Sequence, residues 1–266
     1  MSPVSRPVSR AARAPDPALA TVRVSEIFLS LQGEGPSAGT PAHFLRLQGC
    51  TVGCVWCDTK YAWSAAGGRE VAIGSLLDEL RGAHAGAPAG VPAGAPAGAP
   101  AEGGSGSGSG SGEVPLLVVT GGEPLETPAL ASLLDLALAR WERVEVETSG
   151  LLPPPISRER LCWIVSPKLP RATPRWEETW RHASAWLAEP RATFKIVVGD
   201  DPDEADALRR IAAHGLPVAR VMLMPEGVTD AALRERAVRI AETCKRHGFR
   251  LSPRLHVWMW GAKRGV

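Results

Sequence analysis

The sequence has almost no excess of charge of either sign, which excludes several classes of partner. Its 266 residues include 30 Lys and Arg against 28 Asp and Glu, so the formal net charge is only +2. Such a chain offers no broad basic field for nucleic acid or for an anionic membrane surface. It also lacks an apolar run long enough for a membrane-spanning helix and the apolar core of a secretory signal. We therefore expect a cytoplasmic protein that binds neither nucleic acid nor membrane.

Cysteines are few, odd in number and unevenly spaced. Three of the five stand at Cys50, Cys54 and Cys57, and the other two, Cys162 and Cys244, lie alone. This distribution does not resemble the disulfide framework of a secreted protein, so a reducing compartment is expected. We expect the two isolated cysteines to be small, inert side chains within the fold.

Two segments lack the apolar residues that a core requires. Residues 1–20 are rich in Arg, Pro and Ala and are predicted to be a disordered tail. Residues 82–112 consist of Ala-Gly-Pro repeats followed by Gly-Ser repeats, and are predicted to be a flexible insertion. The remainder of 21–266 is long enough for one domain that this insertion interrupts.

Apolar, β-rich runs alternate with helical patterns through that remainder. The helical patterns lie at 130–138, 205–212 and 233–241, and strands that alternate with helices predict an α/β protein with a parallel sheet. About six strands fall short of the eight of a closed barrel, so we expect a partial, open (β/α) barrel. A doubly wound sheet is the alternative. The six runs are 43–47, 115–119, 143–147, 162–165, 194–198 and 218–223.

Polar and glycine-containing turns collect where these runs end. The second run is followed by TGGEP at 120–124, the third by TSG at 148–150, and the fourth by SPK at 166–168. Because the carboxyl ends of parallel strands share one face of the sheet, we expect these turns to lie together. The cysteine-containing loop after the first run belongs to the same face. The sequence therefore predicts one composite site there.

The CxxxCxxC spacing of Cys50, Cys54 and Cys57 predicts metal chemistry. Thiolates this close can hold a 4Fe–4S cluster, and three ligands leave one iron open for a small chelating cofactor. A zinc site would need a fourth ligand, which His43 or Asp58 could supply. A non-catalytic iron–sulfur or zinc module is therefore an alternative to an enzyme.

The CxxxCxxC loop after the first strand, with the GGEP turn downstream, resembles the radical S-adenosylmethionine enzymes. The resemblance implies that the methionine part of S-adenosylmethionine chelates the open iron, and that electron transfer then yields a 5′-deoxyadenosyl radical. It implies that Trp56 packs by the adenine and that the GGEP turn hydrogen-bonds the methionine amino group. The implied cofactor-binding residues are Trp56, Gly121, Gly122, Glu123, Ser149, Ser166, Pro167 and Lys168.

Further motifs narrow the resemblance to the 7-carboxy-7-deazaguanine synthases. They are SEIFLSLQGEG at 25–35, FLRLQGC at 44–50, CDTKYAW at 57–63 and SPRLHVWMWG at 252–261. The resemblance implies radical ring contraction of 6-carboxy-5,6,7,8-tetrahydropterin to 7-carboxy-7-deazaguanine, with release of ammonia, on the route to queuosine. The chain departs from the pattern at Ser149, where Asn is expected, and at Met224, where a polar residue is common. A radical activase that installs a glycyl radical on a partner protein is the second enzymatic reading.

The same resemblance implies where the substrate binds. The loop 31–34 would read the guanidine-like edge of the pterin, with its backbone and with side chains. Arg46 is either a structural ion-pair residue or a bidentate clamp for the substrate carboxylate. Thr59 is either a helix cap or a ligand of a magnesium ion that also meets the substrate. The implied substrate-binding residues are Leu31, Gln32, Gly33, Glu34, Arg46, Thr120, His256 and Val266.

The implied cofactors are thus a 4Fe–4S cluster on Cys50, Cys54 and Cys57, S-adenosylmethionine, and Mg²⁺ at Thr59. The implied partners are the pterin substrate, a flavodoxin-like or other electron donor, and a second copy of the chain in a homodimer.

Overall fold

The computed structural model describes residues 16–82, 114–261 and 263–266. The predicted insertion at 82–112 lies outside these ranges, apart from Gly82, which is the last residue of the first helix.

Secondary structure is already present before residue 21. Pro17–Leu19 forms a 3₁₀ turn, and the side chain of Asp16 accepts the N–H of Ala18 at its start. The carbonyl of Ala20 accepts the N–H of Ile73 at 2.9 Å, which connects this segment to the first helix. Residues 1–15 lie outside the described part of the chain.

The described residues form a nine-stranded sheet at the centre of the molecule. Its strands are β1 (Thr21–Leu31), β2 (Pro41–Leu47), β3 (Arg69–Ala72), β4 (Leu116–Gly121), β5 (Arg143–Thr148), β6 (Leu161–Val165), β7 (Ala192–Val198), β8 (Val221–Pro225) and β9 (Arg250–Leu251). Their order across the sheet is β3-β1-β2-β4-β5-β6-β7-β8-β9. In this order the neighbours from β2 to β9 are parallel, while β1 pairs antiparallel with both β2 and β3.

The predicted partial, open (β/α) barrel is confirmed as an open, largely parallel α/β sheet. The six apolar runs correspond to β2 and to β4 through β8. The sequence reading missed three strands: the antiparallel pair β1 and β3, and the two-residue β9. Because β3 and β9 lie at opposite ends of the order, the described sheet does not close into a barrel.

Seven helices accompany the strands in the described part of the chain. They are α1 (Ile73–Gly82), α2 (Leu130–Leu138), α3 (Trp176–Trp180), α4 (Ala183–Ala188), α5 (Asp201–Ala213), α6 (Asp230–His247) and α7 (Leu255–Trp260). The three predicted helices are α2, α5 and α6, but α5 buries Asp203, Ala207 and Ile211 while Ala205 and Ala212 are exposed. Among the described residues, no helix is long and apolar enough to cross a membrane.

Alternate residues of the central strands face opposite sides of the sheet, as strand geometry requires. On β2, Leu45 joins the main apolar core, whereas its neighbour Arg46 lines a cavity. On β7, Ile196 is in the core and Lys195 lines the same cavity. One face of the sheet therefore packs against helices, and the other presents charged side chains to an internal site.

Candidate active site

The carboxyl ends of the parallel strands surround a cavity of about 360 Å³. The cysteine loop, the GGEP turn, the loop after β1 and the C-terminal segment all open into it. Of the predicted site residues, those that line it are Leu31, Gln32, Gly33, Glu34, Arg46, Cys50, Cys54, Trp56, Cys57, Thr59, Thr120, Gly121, Gly122, Glu123, Ser149, Ser166, Lys168, His256 and Val266.

Pro167 is the predicted residue that does not line the cavity. It is buried between Ser166 and Lys168, which do line it. Lys168 Nζ donates to Ser166 Oγ at 3.2 Å on the cavity side.

The cysteine loop is held in place by contacts from outside it. Thr173 donates its hydroxyl to the carbonyl of Val52 at 2.6 Å, and Arg175 donates to the carbonyl of Thr51 at 2.7 Å. Glu126, just beyond the GGEP turn, accepts the N–H of Thr51 at 3.0 Å. These contacts fix a loop that has no regular secondary structure of its own between β2 and the turn at Lys60–Ala62.

The three thiols of this loop are partly buried around the cavity. Burial raises the pKa of Cys50 to about 11 and also raises that of Cys54, so a bound cation would favour the thiolate form of both side chains. Cys57 Sγ accepts the indole N–H of Trp63 at 3.3 Å and the backbone N–H of Thr59 at 3.4 Å. Donors of this kind stabilise a sulfur that carries negative charge.

The geometry does not match a mononuclear zinc site. Within the described ranges, no group of three His, Cys, Asp or Glu side chains converges as the ligands of one metal ion do. His43 accepts the indole N–H of Trp141 at 3.1 Å, beside a second cavity, and Asp58 pairs with Arg254. Cysteines that bind different irons of a cluster need not converge on one point, so the donor set fits a cluster.

The two glycines of the GGEP turn permit close backbone contact with the cysteine loop. A Cβ at Gly121 would lie 2.4 Å from the carbonyl oxygen of Leu47, and one at Gly122 would lie 1.9 Å from that of Gly49. The N–H of Glu123 donates to the same Gly49 carbonyl at 2.8 Å. The turn therefore rests directly on the backbone that leads into Cys50, which only glycine allows.

Both oxygens of the Glu123 carboxylate accept hydrogen bonds from other residues of the protein. One oxygen accepts the N–H of Leu125 at 3.1 Å and the hydroxyl of Thr148, and the other accepts the N–H of Ser149 at 2.8 Å and its hydroxyl. Glu123 therefore joins the ends of β4 and β5. Ser149, which stands where the family pattern has Asn, binds this carboxylate with both its donors.

Thr59 does not act as a helix cap. It precedes the 3₁₀ turn at Lys60–Ala62, but its side chain makes no capping hydrogen bond. Its hydroxyl lies 3.4 Å from Cys57 Sγ and faces the cavity.

A cluster of buried charges forms the other half of the cavity. Glu34 contacts Lys195 Nζ through one oxygen and accepts Arg254 Nε at 2.9 Å through the other. Burial opposes its charge, but the attraction of Lys195 and Arg254 outweighs this and holds the pKa of Glu34 well below its usual range. Glu147 adds a second carboxylate, 3.5 Å from Lys195 Nζ.

Neutral polar side chains complete this charged cluster. Gln32 donates to Glu147 Oε1 at 3.2 Å and accepts the N–H of Glu34, and Thr120 donates to Glu147 Oε2 at 3.1 Å. The sequence reading did not identify Lys195 or Arg254 as site residues. The position of Lys195 inside the apolar run 194–198 could have indicated its role. Arg46 was identified by the same signal, a charged residue inside an apolar strand.

His256 lies against the loop after β1. Its Nε2 is 3.8 Å from Glu34 Oε1, and burial lowers the pKa of the imidazole. A Cβ at Gly33 would meet His256 Nδ1 at 2.2 Å, so glycine is required for this approach.

Arg46 is held by Glu26, which the sequence reading also missed. Arg46 Nε donates to Glu26 Oε1 at 2.7 Å, and Tyr61 donates its hydroxyl to the same oxygen at 2.7 Å. Arg264 donates to Glu26 Oε2 at 2.7 Å, with its guanidinium 3.7 Å from the centre of the Tyr61 ring. These contacts place the C-terminal segment, including Val266, at the cavity.

Comparison with known proteins places the chain among named relatives, although no family model matches it. A 7-carboxy-7-deazaguanine synthase of Pyrobaculum aerophilum is 38% identical over 248 residues, which cover 92% of this chain and 97% of that protein. One of Hyperthermus butylicus is 35% identical over 94% of this chain and 98% of its own length. The crystal structure of QueE from Escherichia coli matches with a TM-score of 0.61 and 27% identity, covering 87% of this chain and 93% of that one.

Proposed function

Because the chain belongs to the 7-carboxy-7-deazaguanine synthase family, we propose that it contracts 6-carboxy-5,6,7,8-tetrahydropterin to 7-carboxy-7-deazaguanine and releases ammonia, in queuosine biosynthesis. The observation that carries this proposal is the convergence of the three thiols, the GGEP turn and a charged polar cluster on one cavity. Its volume of about 360 Å³ suits small molecules rather than a protein segment. The name of the relatives also favours a small-molecule synthase over a radical activase or a binding module.

The metal end of the cavity fits a 4Fe–4S cluster on Cys50, Cys54 and Cys57. When bound, the cluster and S-adenosylmethionine supply the 5′-deoxyadenosyl radical that starts the rearrangement. The protein contributes thiolates at fixed places and donors to Cys57 from Trp63 and Thr59.

The residues around the GGEP turn would hold S-adenosylmethionine. Gly121 and Gly122 bring their backbone close to the cysteine loop, so the amino group of the methionine part can be bound there. Trp56 offers an apolar surface for the adenine, and Ser166 and Lys168 offer polar groups from the end of β6. Glu123 and Ser149 act on this pocket chiefly by fixing the ends of β4 and β5.

The opposite half of the cavity would hold the pterin by its two ends. The guanidine-like edge of the pterin is rich in N–H donors, and Gln32, Glu34 and their neighbours supply acceptors. Arg46 would anchor the substrate carboxylate, since the guanidinium presents parallel donors. The remaining proposed contacts are Leu31, Gly33, Thr120, His256 and the carboxylate of Val266.

A magnesium ion would bind at the hydroxyl of Thr59. Magnesium prefers oxygen ligands and usually keeps several waters, so one protein hydroxyl with substrate oxygens is a reasonable set. The Thr59 hydroxyl faces the cavity and is not used as a cap, which leaves it available for such a role.

We further propose a cytoplasmic location, a flavodoxin-like or similar electron donor, and a homodimer. All five cysteines are free, which suits a reducing compartment. A radical reaction of this class needs one-electron reduction of the cluster, so an external donor is required.

An anaerobic assay tests the proposed function. Cluster-reconstituted protein is incubated with S-adenosylmethionine, Mg²⁺, a reductant and the carboxytetrahydropterin, and the product is analysed by mass spectrometry. We expect a product lighter by one ammonia that co-elutes with authentic 7-carboxy-7-deazaguanine, together with free ammonia. Formation of 5′-deoxyadenosine while the pterin stays unchanged would show a radical enzyme with another substrate.

A further inference from the structure

Lys195 stands in the substrate half of the cavity, and the function proposed above gives it no role. It lies on β7 within an apolar run, and only 4% of the residue is exposed. Its Nζ contacts one oxygen of Glu34 and lies 3.5 Å from Glu147 Oε1. An ammonium removed from water to this degree needs compensating partners, and these two carboxylates are the partners.

The two carboxylates come from distant parts of the sequence and are joined at Lys195. Glu34 belongs to the loop after β1, and Glu147 is the penultimate residue of β5. Glu34 has its second oxygen occupied by Arg254 at 2.9 Å. Glu147 receives only the neutral donors of Gln32 and Thr120 besides Lys195. In the described part of the chain, Lys195 is thus the cation that forms an ion pair with Glu147.

We propose that Lys195 is a positioning residue for substrate recognition, whose ammonium holds Glu34 and Glu147 side by side as two ionised acceptors. Two carboxylates sharing a buried site do not both stay ionised unless a cation lies with them. The guanidine-like edge of a pterin presents N–H donors, and ionised acceptors bind such donors more strongly than protonated carboxyls do. This inference rests on the proposed pterin substrate.

The other titratable groups around the carboxylate pair do not replace this ammonium. Arg254 already forms ion pairs with Glu34 and Asp58. Burial lowers the pKa of His256, which disfavours the charged imidazolium. Glu145, two residues before Glu147 on β5, is a third acidic side chain, and burial raises its pKa.

The test compares Lys195→Met with wild type by equilibrium binding of the pterin to the cluster-loaded enzyme without reductant, so that no turnover occurs. Calorimetry gives Kd from mildly acidic to mildly alkaline pH. We expect Kd of Lys195→Met to rise about ten-fold or more at neutral pH, the cost of losing a hydrogen bond to a charged acceptor. Without the ammonium, the pair formed by Glu34 and Glu147 should bind one proton at neutral pH. This proton is lost at alkaline pH, so part of the affinity for the pterin should be recovered there.

A double variant keeps the proposal testable if Lys195→Met does not fold. Lys195→Met with Glu34→Gln removes one charge of each sign, so the net charge of the cluster is unchanged and Glu147 no longer shares the site with a second carboxylate. We expect this protein to fold, and to bind the pterin with less pH dependence than Lys195→Met. Lys245→Met is the matched control, since Lys245 is an exposed lysine on α6 paired with Glu242.

Three outcomes distinguish the alternatives. An unchanged Kd with reduced thermal stability would make Lys195 a structural ion-pair residue and overturn the proposal. An unchanged Kd with lower kcat would make it a proton donor in the reaction and would also overturn it. If wild-type enzyme cleaves S-adenosylmethionine but does not bind the pterin, it is the proposed function that fails.

Discussion

Arg46 and Arg264 share one carboxylate, that of Glu26, each donating its Nε proton at 2.7 Å. This shared contact connects the strand that leads into Cys50 with the C-terminal segment at the cavity. Because Nε of Arg46 is occupied by Glu26, its two terminal nitrogens are oriented together, and they make no hydrogen bond to another described residue. A guanidinium that is held at Nε in this way can present its terminal nitrogens to a carboxylate as parallel donors.

Substitution of Arg46 tests that assignment. Arg46→Lys should lower kcat/KM for the pterin about ten-fold or more, because a lysine replaces two parallel donors with a point charge. Arg46→Ala should lower it further. Both variants should retain their iron and still form 5′-deoxyadenosine slowly without substrate.

Arg69→Ala is a matched control for Arg46, since Arg69 is an exposed arginine on β3 that pairs with Glu79. Normal pterin affinity in a folded Arg46→Ala enzyme would show that Arg46 serves only as the ion-pair partner of Glu26.

Cysteine substitution separates the cluster ligands from the other cysteines. Cys54→Ala should abolish both iron binding and turnover, because a cluster held by three thiolates loses a ligand. Cys244→Ala should leave both intact, since Cys244 lies on α6 away from the cavity. Iron analysis and the paramagnetic signal of the reduced protein measure the effect. Stoichiometric zinc without iron in wild-type protein would contradict the assignment.

Gly122→Ala tests the contact between the GGEP turn and the cysteine loop. The added methyl would lie 1.9 Å from the carbonyl oxygen of Gly49, so backbone must move. We expect a loss of about 1 to 3 kcal/mol in the free energy of unfolding, the range for local backbone strain. Iron content should also fall, because the displaced backbone leads directly into Cys50.

Gly82→Ala is the control for this substitution, since a Cβ at Gly82 meets no atom of the described residues within 4 Å. Unchanged stability and unchanged iron content in Gly122→Ala would show that the turn and the loop are not coupled as described.

Glu34→Gln tests the buried charge cluster through its pH dependence. The pKa of Glu34 lies below its ordinary value of 4.5, because Lys195 and Arg254 outweigh the effect of burial. A carboxyl with a lower pKa in the folded state stabilises the fold above its unfolded pKa, and this contribution is lost as pH falls. We expect Glu34→Gln to cost about 3 kcal/mol at neutral pH, since two buried cations each lose one carboxylate partner and keep only Glu147 and Asp58.

The stability difference between wild type and Glu34→Gln should then narrow as pH falls below 4.5, as measured by urea unfolding at a series of pH values. Glu177→Gln, an exposed position on α3, is the control. A difference that does not change with pH would mean that Glu34 is not held ionised by its neighbours.

The sequence predicted the six parallel strands because each is a short apolar run, and burial on both faces of the sheet makes such runs visible. It missed β1 because that strand mixes polar and apolar residues and only its first half has a regular alternation of burial. β3 and β9 were missed because four and two residues are too short to show a period.

The site was predictable where its residues sit in motifs at strand ends, as at Cys50 and Gly122. It was not predictable where function depends on pairs distant in sequence. Lys195 and Glu34 are 161 residues apart, and Arg264 and Glu26 are 238 apart, so only the folded chain shows that they meet. For Lys195, its charge inside an apolar strand was the available signal.

The proposed radical ring contraction is tested most directly by tracing the hydrogen atom at C6 of the substrate. Carboxytetrahydropterin deuterated at C6 is incubated anaerobically with cluster-reconstituted enzyme, S-adenosylmethionine and a reductant, and the label is located by mass spectrometry. If the cavity holds the pterin with its C6 hydrogen against the radical, deuterium will enter the 5′-deoxyadenosyl group while 7-carboxy-7-deazaguanine forms. Ring contraction without transfer of label to that group, or transfer of label without ring contraction, would contradict the account.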